Sequence, residues 1–304
     1  MELIQLRCFL AVADKLHFGR AAQSLNMLPA SLGRHIANLE DGLGKQLVAR
    51  TTRHVALTDV GAEFLEEIRD IVDRVDRIQE MARRHQRTLP QVLRVGAIDS
   101  AAAGLLPPLL THFRIECPDI EVTLLEQKTV RLLPRLLSGS LDVAFVRPTE
   151  VRHESLVFRS LFFETAVVAM PNSHRLASRP SVTVADMADE PLVVPDRSSR
   201  PHSHDLTVKL FLEAGLTARI AQIADEKQTI LNLVGSGFGL AIVPRWASRF
   251  AVQGVTFVPI ETQAGQAMNK LSLAAAWLRD VRDPSRDALL DCLARHLDEF
   301  AKSA

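Results

Sequence analysis

Apolar residues first recur at helical spacing. Leu3, Leu6, Leu10 and Ala13, widened by Phe9 and Val12, predict an opening amphipathic helix. A second short helix is expected over Arg20 to Leu25. Its Ala21 and Ala22 permit close helix approach, and Asn26 suits the left-handed geometry of a helix end. A third begins near Pro29 and runs to about Glu40, with Leu32, Ile36 and Leu39 inward and Ala30, Ser31, Arg34, His35 and Asn38 outward. Asp41-Gly42 should end it, and the stretch from Arg50 to Leu57 reads as a β-hairpin, a wing. Thr58 is placed to cap a long helix in which Phe64, Ile68, Ile71, Val75, Ile78 and Ala82 step by four and three, the seam of a coiled coil. That helix spans roughly 40 Å and ends in the polar run Arg83 to Arg87, a linker before Pro90.

From Val92 onward the period changes, and strands alternate with helices. Strands are expected at Val92 to Ile98, Ile120 to Leu125 and Leu141 to Val146, with helices at Leu105 to Phe113 and Leu132 to Leu137. A second set follows: Thr165 to Met170, Leu192 to Val194, a helix near Ser203 to Ala214, Ile220 to Ile223, a helix at Thr229 to Val234, and Leu240 to Val243. Leu271 to Trp277 is a late strand, and Leu289, Leu293, Leu297 and Phe300 mark a C-terminal helix. Such alternation predicts a parallel sheet flanked by helices.

The 304 residues provide for more than one domain. A hydrophobic fraction of 47% and a charged fraction of 24% are globular values that exclude disordered and collagen-like classes. The net charge of +0 gives no sign of a polyanion partner, yet it conceals an uneven distribution. Up to Thr58, Arg7, Lys15, Arg20, Arg34, Lys45, Arg50 and Arg53 face only Glu2, Asp14, Glu40 and Asp41. Cys8, Cys117 and Cys292 lie far apart without Cys-x-x-Cys spacing, which suits reduced thiols. With no leader-like or membrane-length apolar run, the expected location is the cytoplasm.

Three short helices with a tight turn before the third form a helix-turn-helix, whose last helix enters the major groove of double-stranded DNA. Arg34 is the leading base reader, because its fork bonds two acceptors on guanine. Arg20, Arg50, Arg53 and His54 are better placed for phosphates. On periodicity alone, the same cations equally suit a solvated surface. In the second half, a two-lobed α/β domain collects ligands beyond the carboxyl ends of its strands. Ser100, Thr129, Arg147 and the segment Pro201-His202-Ser203 fall there. Hydroxyls and amides at helix starts, with an arginine at the rim, suit a small carboxylate. Gly235-Ser236-Gly237-Phe238-Gly239 is no dinucleotide fingerprint, since it ends a helix and opens a strand. His202-Ser203-His204-Asp205 lacks a distant third ligand for a metal. The sequence carries no catalytic elbow, phosphate loop or paired carboxylates on one face, so neither enzyme, metal nor cofactor is expected.

Leu6-Arg7-x-Phe9, Phe18-x-x-Ala21-Ala22, Leu39-Glu40-x-x-Leu43-Gly44, the wing arginines and Leu57-Thr58-x-x-Gly61 stand in register. Together with Leu141-Asp142-Val143-Ala144 and the stretch from Gly235 to Pro244, the chain resembles the LysR-type transcriptional regulators. The surroundings of Ser100 to Pro107, Thr129 and Ala144 to Arg147 are similar to regulators of aromatic-acid and muconate breakdown. The resemblance implies an α/β protein overall: an all-α winged helix-turn-helix over 1–58, a dimerisation helix over 59–89, and a periplasmic-binding-protein-like effector domain over 90–304. Its lobe I takes about 90–162 and 267–304, and lobe II about 163–266. It further implies a homodimer or homotetramer on a dyad-like operator, an effector in the cleft, contact with RNA polymerase and usually activation. One departure stands out. The family's Ser-Gln-Pro start of the reading helix is Leu28-Pro29-Ala30 here, and a common serine before the reading arginine is Gly33. Base readout is therefore expected to shift toward Arg34, Ser31 and His35. A two-lobed enzyme or transport-type binding protein with an unrelated helical bundle, and a regulator whose pocket has lost its ligand, remain alternatives.

Overall fold

A computed structural model describes residues 1–50, 55–84, 91–148, 153–261 and 270–304. The chain divides into two compact units, Met1–Leu89 and Pro90–Ala304.

In the first unit α1 (Leu3–Lys15), α2 (Phe18–Ser24) and α3 (Pro29–Leu43) precede a short antiparallel pair, β1 (Val48–Arg50) with β2 (Val55–Leu57), and α4 (Asp59–Arg84). Phe9, Val12, Ala21, Leu32, Ile36 and Leu39 are fully buried and form one core. Asn26 takes a positive φ of 53°, turning the chain between α2 and α3. The third helix runs on to Leu43, past the expected stop at Asp41-Gly42. Gly44, at φ 64°, supplies the left-handed cap instead, its N–H reaching back to Asp41 and Glu40. Thr58 starts α4: its hydroxyl donates to Gln46 O at 2.7 Å and accepts Gly61 N–H at 2.9 Å. The expected seam on α4 is split. Ile68 turns inward beside Val72 and joins the core, whereas Ile71 and Ile78 remain 44% and 62% exposed. Positions 68 and 71 stand about 60° apart around the helix axis, so the helical head covers one edge of the seam and leaves the other to solvent.

In the second unit β3 (Gln91–Ala97), α5 (Asp99–Gly104), α6 (Leu106–Glu116), β4 (Ile120–Glu126), α7 (Thr129–Leu137) and β5 (Val143–Val146) lead into a long strand, β6 (Leu156–Pro171). There follow β7 (Leu192–Pro195), α8 (Pro201–Glu213), β8 (Ile220–Ala224), α9 (Lys227–Gly235), β9 (Ala241–Pro244), β10 (Val255–Pro259) and β11 (Lys270–Leu278). The final helical segment is two helices, α10 (Pro284–Arg295) and α11 (Leu297–Ser303).

The sheet is mixed, which corrects the expected parallel one. β3 pairs in parallel with β4 and β5, but β11 runs antiparallel to β5 and β6, and β9 and β10 run antiparallel to β6. The two lobes are stitched by β6. Its residues up to Thr165 pair with β11, and those from Ala166 pair with β9 and β10. Beyond Thr165 its side chains alternate between two cores, Ala166, Val168 and Met170 on one side and Val167 and Ala169 on the other, so helices cover both faces. Alternation in one sequence segment cannot reveal the direction of its partners. β7 and β8 form a separate parallel pair. No helix of the described residues is long and apolar enough to cross a membrane.

Candidate DNA-reading surface and inter-lobe site

Pro29 occupies the first turn of α3, where its missing N–H costs nothing. Leu28 contributes no side-chain cap, although its carbonyl accepts Ser31 and Leu32 N–H at 3.0 and 3.1 Å. Pro29, Ala30 and Arg34 are exposed, and Ser31, Gly33 and His35 half-buried, so the outward stripe of α3 is available to a groove. Arg20 is exposed on α2, its guanidinium bonded to Lys15 O at 3.2 Å. Arg50 closes β1, while Arg53 and His54 lie outside the described residues. Sequence reasoning missed what anchors the wing. Glu40 accepts Leu47 and Val48 N–H at 2.8 and 2.9 Å, so the acid of the Leu39-Glu40 pair ties the start of β1 to α3.

The inter-lobe cavity encloses about 470 Å³ including its mouth, and Ser100, Thr129, Arg147, Pro201, His202 and Ser203 all line it. They converge because the lining residues follow the ends of β3, β4 and β5, join the segment that opens α8, and meet Pro244 at the end of β9. Arg147 differs from the expected open rim cation. It is 6% exposed, ion-paired with Glu164, and bonded to Ser100 Oγ at 3.1 Å and to Leu271 O and Ser272 O at 3.0 and 3.1 Å. Glu164, wholly buried, also accepts Ser100 Oγ at 3.0 Å and Trp246 N–H at 3.1 Å. Thr129 Oγ1 accepts Arg147 N–H at 3.2 Å. A buried guanidinium demands its own counter-charge, which the fold supplies from β6.

Groups that sequence reasoning passed over carry most of the charge. Lys128 precedes α7 and Arg200 precedes α8, and neither helix start has a side-chain cap. Both bases reach across the cleft. Lys128 Nζ pairs with Asp225 and with Glu226 at 2.8 Å, while Arg200 lies 2.8 Å from Asp99 and 3.3 Å from Glu226. Lys227 Nζ donates to Asp99 at 2.8 Å. Burial alone would raise the Asp99 carboxyl, but Lys227 and Arg200 outweigh it and hold the group at about 2. Burial likewise pulls the Lys227 ammonium below its ordinary range, with Asp99 opposing. Burial and the nearby Asp99 charge raise Glu126. The legible signal was position: each base stands at a strand-to-helix junction. His204 and Asp205 bond to Pro195 O at 2.9 Å and to Arg197 at 2.7 Å.

Gly235 ends α9 and the glycine-rich stretch leads into β9 two residues after Gly239, the reverse of the strand-to-helix order a dinucleotide fingerprint needs. Gly239 (φ 153°) runs so near Pro191 that a Cβ would lie 2.4 Å from its carbonyl oxygen.

Residues 3–62 match the family described as bacterial regulatory helix-turn-helix protein, lysR family, and residues 86–298 match the LysR substrate binding domain. The transcriptional regulator TtuA of Agrobacterium vitis is 54% identical over 304 residues, all of both chains. CatR of Pseudomonas putida is 33% identical, covering 80% of this chain and 83% of CatR. The crystal structure of CbnR, a LysR family transcriptional regulator, superposes with a TM-score of 0.78 at 25% identity, over 97% of this chain and 99% of CbnR. CbnR complexed with its target DNA gives 0.75, at the same identity and coverage. With an exposed reading helix, a two-lobed ligand domain and matches across both units, this chain belongs to the LysR family of DNA-binding transcriptional regulators.

Proposed function

We propose that this regulator senses a small carboxylate in the cleft and reads a dyad-like operator through α3, acting in the cytoplasm as an effector-responsive activator that contacts RNA polymerase. The observation carrying the effector reading is the pair of uncapped helix starts, α7 from one lobe and α8 from the other, each preceded by a base at the cavity wall. Backbone N–H groups and helix dipoles there favour an anion. Ser100 and Arg147 act as the scaffold that holds the wall, with Thr129, Pro201, His202 and Ser203 nearest the ligand. Among the lining residues only His202 offers an aromatic ring, which favours an aliphatic carboxylate over an aromatic one. An anion competing with Asp225 and Glu226 for Lys128 and Arg200 would shift the balance between lobe arrangements, and so the spacing of the reading heads.

Arg34, with Ser31 and His35, reads bases, while Pro29, Ala30 and Gly33 allow close approach. Arg20, Arg50, Arg53 and His54 position the protein on phosphates. Exposed Ile71 and Ile78, one heptad apart on α4, support pairing with a second copy, and pairs of dimers would form the homotetramer. Calorimetry against mono- and dicarboxylates should give saturable heat that Lys128→Ala weakens; no heat and no thermal shift across the panel would refute the effector reading. Mobility shifts on the chain's own upstream DNA test the rest. Arg34→Ala should cost about 1–3 kcal/mol of discrimination against random DNA, and unchanged discrimination would remove it as reader.

A further inference from the structure

Away from the cleft, helices α6 and α10 bring two one-turn pairs together. His112 and Glu116 lie four residues apart on α6, and Cys292 and His296 lie four apart on α10 and its C-terminal cap. That spacing places both members of each pair on one helix face. The Glu116 carboxylate, Cys292 sulfur and a His296 nitrogen all lie within 4.8 Å of one another. His296 Nε2 stands 3.7 Å from Glu116 Oε1, and on the ring's far side His296 Nδ1 stands 3.8 Å from Glu299 Oε2. The rings of His112 and His296 stack with centroids 3.8 Å apart and an interplanar angle of 16°.

The 3.7 Å imidazole–carboxylate separation exceeds a hydrogen bond, which closes to about 3 Å. It matches the edge of a tetrahedron whose metal bonds are roughly 2.0–2.3 Å, an edge of about 3.3–3.8 Å. Thiolate, imidazole and carboxylate together suit a borderline divalent cation of the zinc class. The surroundings complete the arrangement. Arg295 pairs with Glu116 Oε2, leaving Oε1 toward His296. Glu299 lies on the ring's other side, beyond hydrogen-bond reach of Nδ1 but near enough to favour a positively charged site. Cys292 is fully buried, so the sulfur forms the closed side of the site and solvent its open side.

We infer that His296 Nε2, the Cys292 sulfur and a Glu116 oxygen bind one zinc-class divalent ion, with water in the fourth position, and that the ion ties α6 to the C-terminal helices. His112 holds the His296 ring by stacking.

The test uses the full chain, stripped with chelator and titrated with zinc against a chromophoric chelator, then with cobalt in the spectrophotometer. The expected result is one ion per chain, an upward shift of Tm with zinc, and a thiolate-to-cobalt charge-transfer band. Cys292→Ser should abolish the band, and His296→Gln or Glu116→Gln should weaken zinc binding on the order of tenfold or more, with the metal-free Tm near that of the parent. Should Cys292→Ser fail to fold, the two less buried variants decide. No competition at micromolar zinc overturns the site, and so does stoichiometric binding that survives His296→Gln and Glu116→Gln, which would place the ion elsewhere.

Discussion

Removing Glu164 tests whether the cleft wall is held by one buried ion pair. The carboxylate is wholly buried and satisfies three donors: the Arg147 guanidinium, the Ser100 hydroxyl and the Trp246 N–H. Breaking a buried pair by deleting one partner costs about 3–5 kcal/mol, because the surviving charge stays in low dielectric. Glu164→Ala also orphans Ser100 and Trp246, each worth about 1–3 kcal/mol when unsatisfied. The carbonyls of Leu271 and Ser272 still accept from Arg147 and absorb part of the loss. These terms share partners and do not add, so the expected cost is about 4 kcal/mol. Replacing both partners with apolar residues, Arg147→Met with Glu164→Leu, removes the unpaired buried charge and should recover that part alone, leaving about 2–3 kcal/mol from the stranded Ser100 hydroxyl and Trp246 N–H. Urea denaturation followed by circular dichroism, with Cm read at constant m, measures each corner of the cycle. A Glu164→Ala cost below about 1 kcal/mol, or a double variant as unstable as the sum of the singles, would refute the reasoning.

Acid should uncover the Asp99 cluster. The folded carboxyl sits at about 2 against an ordinary 3.8, so its contribution is complete only above about pH 5 and is lost as pH falls through 4 toward 2. That is worth about 2 kcal/mol; denaturation curves at pH 2 to 5 should lose this limb in Asp99→Asn, and an unchanged limb would count against the cluster. Glu40→Ala should cost about 2–3 kcal/mol by stranding the Leu47 and Val48 amides, and thermal melts of the variant check it. Arg20→Ala should weaken DNA binding about equally across sequences and lower the salt slope by about 1, which mobility shifts at several salt concentrations measure.

Periodicity in the sequence determined the helical head, the long α4 helix and the switch to alternating strands and helices, because those patterns record which side of each element meets water. The helix starts at Pro29 and Thr58 and the residues around the cleft were legible for the same local reason: caps and strand ends carry distinctive side chains. Only the tertiary structure decided strand direction, the passage of β6 through both lobes and the division of the α4 seam between Ile68 inside and Ile71 outside. It alone decided that Arg147 is engaged by Glu164, and that Asp99 on one lobe meets Arg200 and Lys227 on the other. Such pairs join residues far apart in the chain, and a charge at one position carries no record of which distant partner the fold brings to it. The pairing of His112-x-x-x-Glu116 with Cys292-x-x-x-His296 is of the same kind. Each half was visible as helical spacing, but their convergence depends on α6 packing against α10.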